Sequence, residues 1–438
     1  MKKACVVLLV SLVLTVASSA FAATYYVATN GDDGWPGTQA QPWRTIQHAV
    51  DTIAPGDTII VKPGAYAGCR IELSGTSGAP KTLMAETVGA VTLNALGPTA
   101  RHNGILEVEN YDAAVSYWVI DGFVIDGINK TYRCYDSRST YDKMNSNITA
   151  RNLTVYGAYM TGIFSAFTNY ALIENCTSYS NGEHGIYVNN SCDNGIVRGN
   201  VMYSNTSLGC HMNGDLSMGG DGIMSGWLLE KNMSFNNGSN GFDADGVETT
   251  TWKNNLVYDN ASKSIHLTCA DGGCNPRYDS ILNNTCVNKA GSYYVINFFK
   301  GKGSAGKRPG GNNNTVKNNI LYHYETANQM RGSIMGITSW MPTLQSDYNV
   351  VVDRFAVDDN KTRYTLAQWR ATWSKDLNST LCLDVNALFV DPANKNFHLK
   401  STSPAVNAGT TLAGVTDDLE GTSRPQGTAY DCGCYEDW

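Results

Sequence analysis

Residues 174–189 read ENCTSYSNGEHGIYVN, and the pattern in them returns along the chain. It comes back as RGNVMYSN with GCHMN from Arg198, EKNMSFNN with GFDAD from Glu230, and KNNLVYDN with SIHLT from Lys253. The aromatics Tyr179, Tyr203, Phe235 and Tyr258 mark the register, spaced 24, 32 and 23 residues apart. A repeat of about 20–50 residues is the signature of a solenoid or an array. Each unit offers two short alternating segments and turn residues, with no helical stripe. That is one coil of a parallel β-helix.

The pattern extends outward. ARNLTVYG with GIFSA precedes it, and LNNTCVNK with VINFF and then KNNILYHY follow, so at least seven coils are legible. The extra length falls after Asn205 and within Lys300–Gly311. Insertions of this kind are loops on one face of a solenoid, often the binding face. Asn recurs at one turn position (Asn152, Asn175, Asn254, Asn283, Asn318). Asn tolerates left-handed backbone, and its amides are expected to bond along the helix axis.

Met1–Ala22 has the layout of a secretory signal: Lys2 and Lys3, an apolar run over Val6–Ala17, then Ala20-Phe21-Ala22. The run is shorter than the ~20 residues needed to span a bilayer. An exported protein with no membrane span is expected. The net charge of −7 becomes −9 when the two leader lysines go, which leaves no basic field for nucleic acid or an anionic membrane. Of twelve cysteines, all but Cys5 lie beyond the leader. Export permits disulfides. Cys269 and Cys274 form the best local pair, with Cys432 or Cys434 to Cys382 as another candidate, while Cys176, Cys210 and Cys286 read as packed thiols.

Near the start, Ile46, Ala49, Val50 and Ile53 make an apolar stripe, closed by Pro55-Gly56. A helix there would cover the open end of the first coil. TLAQWRATW, ending at Trp373, is expected to be a helix over the other end. The segment from Lys130 to Asn145 breaks the pattern and reads as a surface loop or a flap over a groove.

The opening TYYVATNGDDGWPGTQAQPWRTIQHAVDTIAPGDTIIVKPGAYAG, with the later coils, resembles the pectate-lyase-like superfamily of right-handed parallel β-helix proteins. GCHMNGDLSMGGDGIMSGWLLEKN and GFDADGVETTTWKNNLVYDN are similar to a bacterial β-helix group of unassigned activity, and NALFVDPANKNFHLKSTSPAVNAG resembles a closing coil. The resemblance covers roughly residues 25–410. The expected architecture is all-β: a single-stranded right-handed parallel β-helix with an N-terminal capping helix. Its parts are a leader (1–22), an N-terminal strand and helix (23–56), the coils (57–345) and C-terminal closing coils with a short helix (346–438).

The register also locates candidate chemistry. Eight residues past each marker aromatic stand Tyr187, His211, Asp243 and His266; ten past stand Asn189, Asn213, Asp245 and Thr268. The intervening residues are mostly apolar and fill the core, so the polar set points outward, stacked rung over rung. His211, Asp243, His266 and Asp245 are the catalytic candidates, and Tyr187, Asn189 and Asn213 the substrate-binding ones. Lys300 and Lys302 open the basic loop KGKGSAGKRPGG and could hold a polyanionic glycan. Asp215 and Asp221, in the Gly-rich insertion after His211, are the candidates for calcium, which takes several hard oxygen ligands.

The expected activity is a polysaccharide lyase acting on an acidic, uronic-acid-containing polysaccharide. β-Elimination needs a neutraliser for the carboxylate, a base for the C5 proton and an acid for the leaving oxygen. Lyases on this fold often use Lys or Arg as base; the stripe carries neither, and Lys263 stands beside it. A glycoside hydrolase using Asp243 and Asp245, with Asp221 as a further carboxylate, a uronate epimerase and a non-catalytic glycan-binding solenoid are the alternatives. The partner is a polysaccharide rather than nucleic acid or membrane, and the protein is expected to be a monomer.

Overall fold

The computed structural model describes residues 22–127, 131–301, 310–325 and 331–437. Lys2, Lys3 and the leader up to Phe21 lie outside them, as does Lys302. Among the described residues three long sheets of 13, 12 and 12 strands wrap one interior, parallel except for the last pair of one 12-stranded sheet, and successive coils add their strands to each sheet in turn. This is the right-handed parallel β-helix.

Strand pairing keeps one register throughout the coils. In the third sheet Ile186, Cys210, Phe242, Ile265 and Ile296 pair in succession, each at most 1% exposed. Two residues on, Val188, Met212, Ala244, Leu267 and Phe298 do the same. These inward columns make the core. The residues between them face out. On the outer face of the second sheet the marker aromatics Tyr156, Tyr179, Tyr203, Phe235 and Tyr258 stack with centroids 4.8–5.1 Å apart.

Two turns per coil are held by asparagine ladders. In the first, the amides of Asn200, Asn232, Asn255, Asn284 and Asn319 each donate to the Oδ1 of the next, ending at Asn349, at 2.9–3.0 Å. The second runs Asn181, Asn205, Asn237, Asn260. The stacking is therefore one residue later than the turn position where it was expected. Asn152, Asn175, Asn254, Asn283 and Asn318 do take left-handed backbone, with φ of 51–58°. That conformation turns their side chains outward. Asn283 and Asn318 still meet at 3.3 Å, but Asn254, Asn283 and Asn318 chiefly hold the C-terminal segment, through the carbonyls of Asp417, Asp431 and Thr410.

Helix α1 (Ile46–Thr52) is capped by Thr45 and buries Ile46, Ala49 and Val50 against the first coil. Helix α2 (Leu366–Trp373) carries a Thr365/Gln368 capping box. Its Trp369 stacks on Phe355 of the last third-sheet coil strand, 4.9 Å between centroids, and so closes the upper end. Coil strands continue past residue 345, to Phe355–Val357 in the third sheet and Thr380–Leu381 in the second.

Three expectations change. The chain after Leu381 is no closing coil. Phe389–Asp391 and Asn396–Leu399 form an antiparallel hairpin. The hairpin and the segment behind it cover the outer face of the second sheet, packing Phe389, Phe397 and Leu399 on Leu256, Val287 and Ile320. No disulfide occurs among the described residues: Cys269 Sγ lies 3.3 Å from the Gly272 carbonyl, Cys274 Sγ points to that of Val247, and Cys382, Cys432 and Cys434 are buried thiols. The segment from Lys130 to Asn145 is only partly a loop. Lys130 lies outside the described residues, Arg133–Ser137 is a regular third-sheet rung, and Ser139–Lys143 overhangs the outer face of that sheet.

Candidate active site

The outer face of the third sheet carries one column of paired residues: Arg70, Glu107, Asp136, Phe164, Tyr187, His211, Asp243, His266 and Asn297. Each step is one strand spacing, about 4.8 Å. His211, Asp243 and His266 thus occupy successive rungs. Their local chemistry differs.

His266 Nδ1 stands 3.0 Å from Asp243 Oδ2, and the same oxygen accepts from Asn240 Nδ2. Burial would raise the Asp243 carboxyl, but the His266 hydrogen bond, the two imidazoles and Asn240 overcome it and hold it at about 2. The imidazole side of the pair opens on a cleft of 300 Å³ lined by Lys263, Tyr293, Asn297 and Phe299. Burial depresses the Lys263 ammonium, against the pull of Asp243 and Asp359. Its Nζ sits 5.3 Å from the Tyr293 ring centroid. Base, carboxylate and cation are gathered at one mouth.

His211 belongs to a different cluster. Its ring stacks on Tyr187 at 4.5 Å, with His184 edge-on at 4.9 Å. Its Nδ1 is buried without a hydrogen-bond partner, and burial depresses its basicity. Since His211 covers one face of Tyr187 and Phe164 meets that ring edge-on, Tyr187 offers its hydroxyl rather than an open face. That hydroxyl takes the Asn213 amide at 3.4 Å. Asn213 also accepts from the Asp215 N–H, and Asn189 is buried beside Tyr187 with its Oδ1 unpaired.

Asp245 shares its strand with Asp243 but has another task. It accepts the backbone N–H groups of Ala270, Asp271 and Gly272 at 2.8–2.9 Å, which anchors the loop after His266. Asp215 caps its own turn through Ser217, and Asp221 accepts from Ile223 N–H. Among the described residues no group of three or more His, Cys, Asp and Glu is placed to hold a metal. Two turn-capping carboxylates do not fit calcium, which takes about six to eight oxygens. Lys300 is exposed and follows Phe299 just past the strand next to that of His266, but it is not among the residues lining the His266 cleft. Lys302 lies outside the described residues.

Several residues of this face escape an arithmetic based on the stripe alone. His184, Leu208, Asn240 and Lys263 form their own column three residues earlier, and the same count backward would find it. Phe164 falls eight residues past Tyr156 and so obeys the same count, whereas Arg133 and Arg138 sit one coil lower, where Asp126 stands in place of a marker aromatic.

Comparison with known proteins gives the same architecture. A family model described as Pel9A-like, right handed beta helix region, matches residues 25–214, and one described as right handed beta helix region matches 141–320. The uncharacterized protein YwoF of Bacillus subtilis is 24% identical over 351 residues, covering 71% of this chain and 70% of that protein. Pectate lyase L of Dickeya dadantii is 21% identical over 285 residues, covering 53% and 66%. The crystal structure of pectate lyase Pel9A superposes with a TM-score of 0.64 at 16% identity, covering 95% of this chain and 97% of that one. A rhamnogalacturonan lyase, a mannuronan C-5 epimerase module and a glycoside hydrolase share the fold at 10–15% identity. No helix among the described residues is long and apolar enough to cross a membrane.

Proposed function

We propose that this right-handed parallel β-helix protein, similar in fold to pectate lyase Pel9A, is an exported polysaccharide lyase that cleaves a uronic-acid-containing polysaccharide by β-elimination. The observation that supports this most is the 3.0 Å His266–Asp243 contact at the mouth shared with Lys263. With Nδ1–H donated to Asp243, the tautomer leaves Nε2 free to accept a proton. His266 takes the C5 proton of a uronate. The electron pair left behind spreads into the carboxylate, where the Lys263 ammonium balances it. The C4–C5 double bond then forms as the C4–O4 bond breaks, and the imidazolium returns its proton to the departing oxygen. Asp243 stays ionised throughout and steadies the imidazolium.

Epimerisation shares the first half of this path and would return the proton to C5 instead. Hydrolysis by Asp243 with Asp245 is disfavoured, since Asp245 is committed to three backbone N–H groups. No step runs through calcium.

The test is product analysis on a panel of acidic and neutral polysaccharides. The wild type should release unsaturated, ultraviolet-absorbing ends from an acidic polymer. His266→Ala and Asp243→Asn should each lose about a hundredfold or more in kcat, the range a positioned general base contributes. Saturated reducing ends alone, or near-full turnover in folded His266→Ala, would reject the assignment.

A further inference from the structure

Below the site just described, the same outer face holds a larger cleft of 490 Å³. Its floor is Phe164 and Tyr187, and its wall carries Arg133 and Arg138, with Tyr141 overhanging. The two guanidiniums share one ring: the Arg133 Cζ lies 3.8 Å from the Phe164 centroid and the Arg138 Cζ 5.3 Å. A guanidinium flat on a ring keeps its N–H edge for a ligand. Arg138 is spent largely on Asp136, which it grips through Nε and Nη2. Arg133 is not: its Nη1 stands 3.6 Å from Asp136, and its buried Nε has no hydrogen-bond partner. Two guanidiniums face the carboxylate of Asp136; the neighbouring Glu107 is taken by the backbone N–H groups of Arg101, His102 and Gly104, and Glu109 faces Arg101 and His102. Asp215 stands at the opposite rim.

A buried donor without a partner is costly, so the Arg133 edge is a place that gains from an acceptor. The geometry points to a distal subsite for the carboxylate of an acidic sugar, with its charge toward Arg133 and its hydroxyls toward the Tyr187 hydroxyl and the unpaired Asn189 Oδ1 in the same cleft. This rests on the proposed action on uronic-acid polymers and adds where the polymer lies. Asp136 pairs with Phe164 and, rung by rung, reaches His266 in five steps, about 24 Å at about 4.8 Å each. The substrate therefore runs along the helix axis, and only a chain of several sugars touches both places.

The experiment uses the full protein with galacturonate and mannuronate oligomers, from dimers to octamers, and their carboxyl-reduced counterparts. Arg133→Gln should weaken binding of the octamer about ten- to hundredfold, the value of a charge-assisted hydrogen bond, and raise its KM while kcat holds. Dimers should show no such effect. Asp215→Asn should tighten octamer binding, because it removes a like charge from the rim while keeping the turn cap. Arg133→Lys, which retains charge but not the fork, guards against misfolding and should fall between. Unchanged octamer affinity in both folded Arg133 variants overturns the subsite and leaves the lyase reading intact. Arginine-dependent binding of acidic oligomers without unsaturated product does the reverse. Equal binding of reduced and acidic oligomers, or no binding at all, overturns the subsite.

Discussion

Lys263 and His184 sit at the same position of different coils, and burial acts on both in the same direction. For Lys263 it lowers the pH at which the ammonium is lost. If that ammonium balances the developing charge, the alkaline limb of the pH–rate profile falls below the ordinary lysine range. Lys263→Arg keeps a charge that does not titrate, so its alkaline limb should move to higher pH. A profile unchanged by the substitution would remove Lys263 from the reaction. For His184, burial and the neighbouring His211 push the folded value to about 3, below the ordinary 6.5. Between those values the unfolded chain binds the extra proton and the folded one does not. The stability His184 contributes is therefore complete above about 6.5 and lost as pH falls toward 3. His184→Leu, the residue already present on the next coil at Leu208, should flatten the melting temperature over that range. Chemical denaturation at stepped pH would check it. At this scale the outward stripe was legible, because counting from Tyr203, Phe235 and Tyr258 lands on His211, Asp243 and His266. What separates them was not: nothing in the spacing tells that Asp243 bonds His266 while His211 stacks on Tyr187, or that Asp245 gathers three N–H groups.

Among the elements, the asparagine ladders carry the turns. Asn255 Oδ1 accepts both the backbone N–H and the amide of Asn232, each at 3.0 Å. Asn255→Ala leaves both donors buried without an acceptor, at about 1–3 kcal/mol each when unmatched. A loss of about 2–6 kcal/mol in unfolding free energy is expected, with the third-sheet face undisturbed. An Asn255→Ala protein as stable as the wild type would show the ladder to be ornamental. The ladder was half legible. Runs such as Asn254-Asn255, Asn283-Asn284 and Asn318-Asn319 announce a special turn, but choosing the inward member requires knowing which of the two has positive φ. The capping helices were easier, since Ile46, Ala49 and Val50 show their buried stripe directly.

For the whole molecule, the C-terminal segment acts as an outer strap. Its anchor is Arg424, whose side chain and that of Glu436 are both 0% exposed and meet at 2.5 Å. Arg424 also donates to the carbonyls of Asp431 and Gly433. Arg424→Met strands a buried carboxylate, at about 3–5 kcal/mol. Denaturant unfolding of the variant should show that loss together with release of the strap to protease; a wild-type midpoint would mean the strap is held by its apolar contacts. The strap was illegible because its partners are outward residues such as Leu256 and Ile320, which alternate like any solvated strand. The two ends of the solenoid have a further consequence. Each coil is a template for another, and a bare terminal coil would accept the first coil of a second molecule. Helix α1 blocks one end and Trp369 of α2 the other. At the last rung, Phe355–Val357 pairs antiparallel with Thr362–Tyr364, reversing the chain direction that stacking requires. Unpaired strand edges invite such growth. A structure that could in principle be extended indefinitely is thereby stopped at both ends.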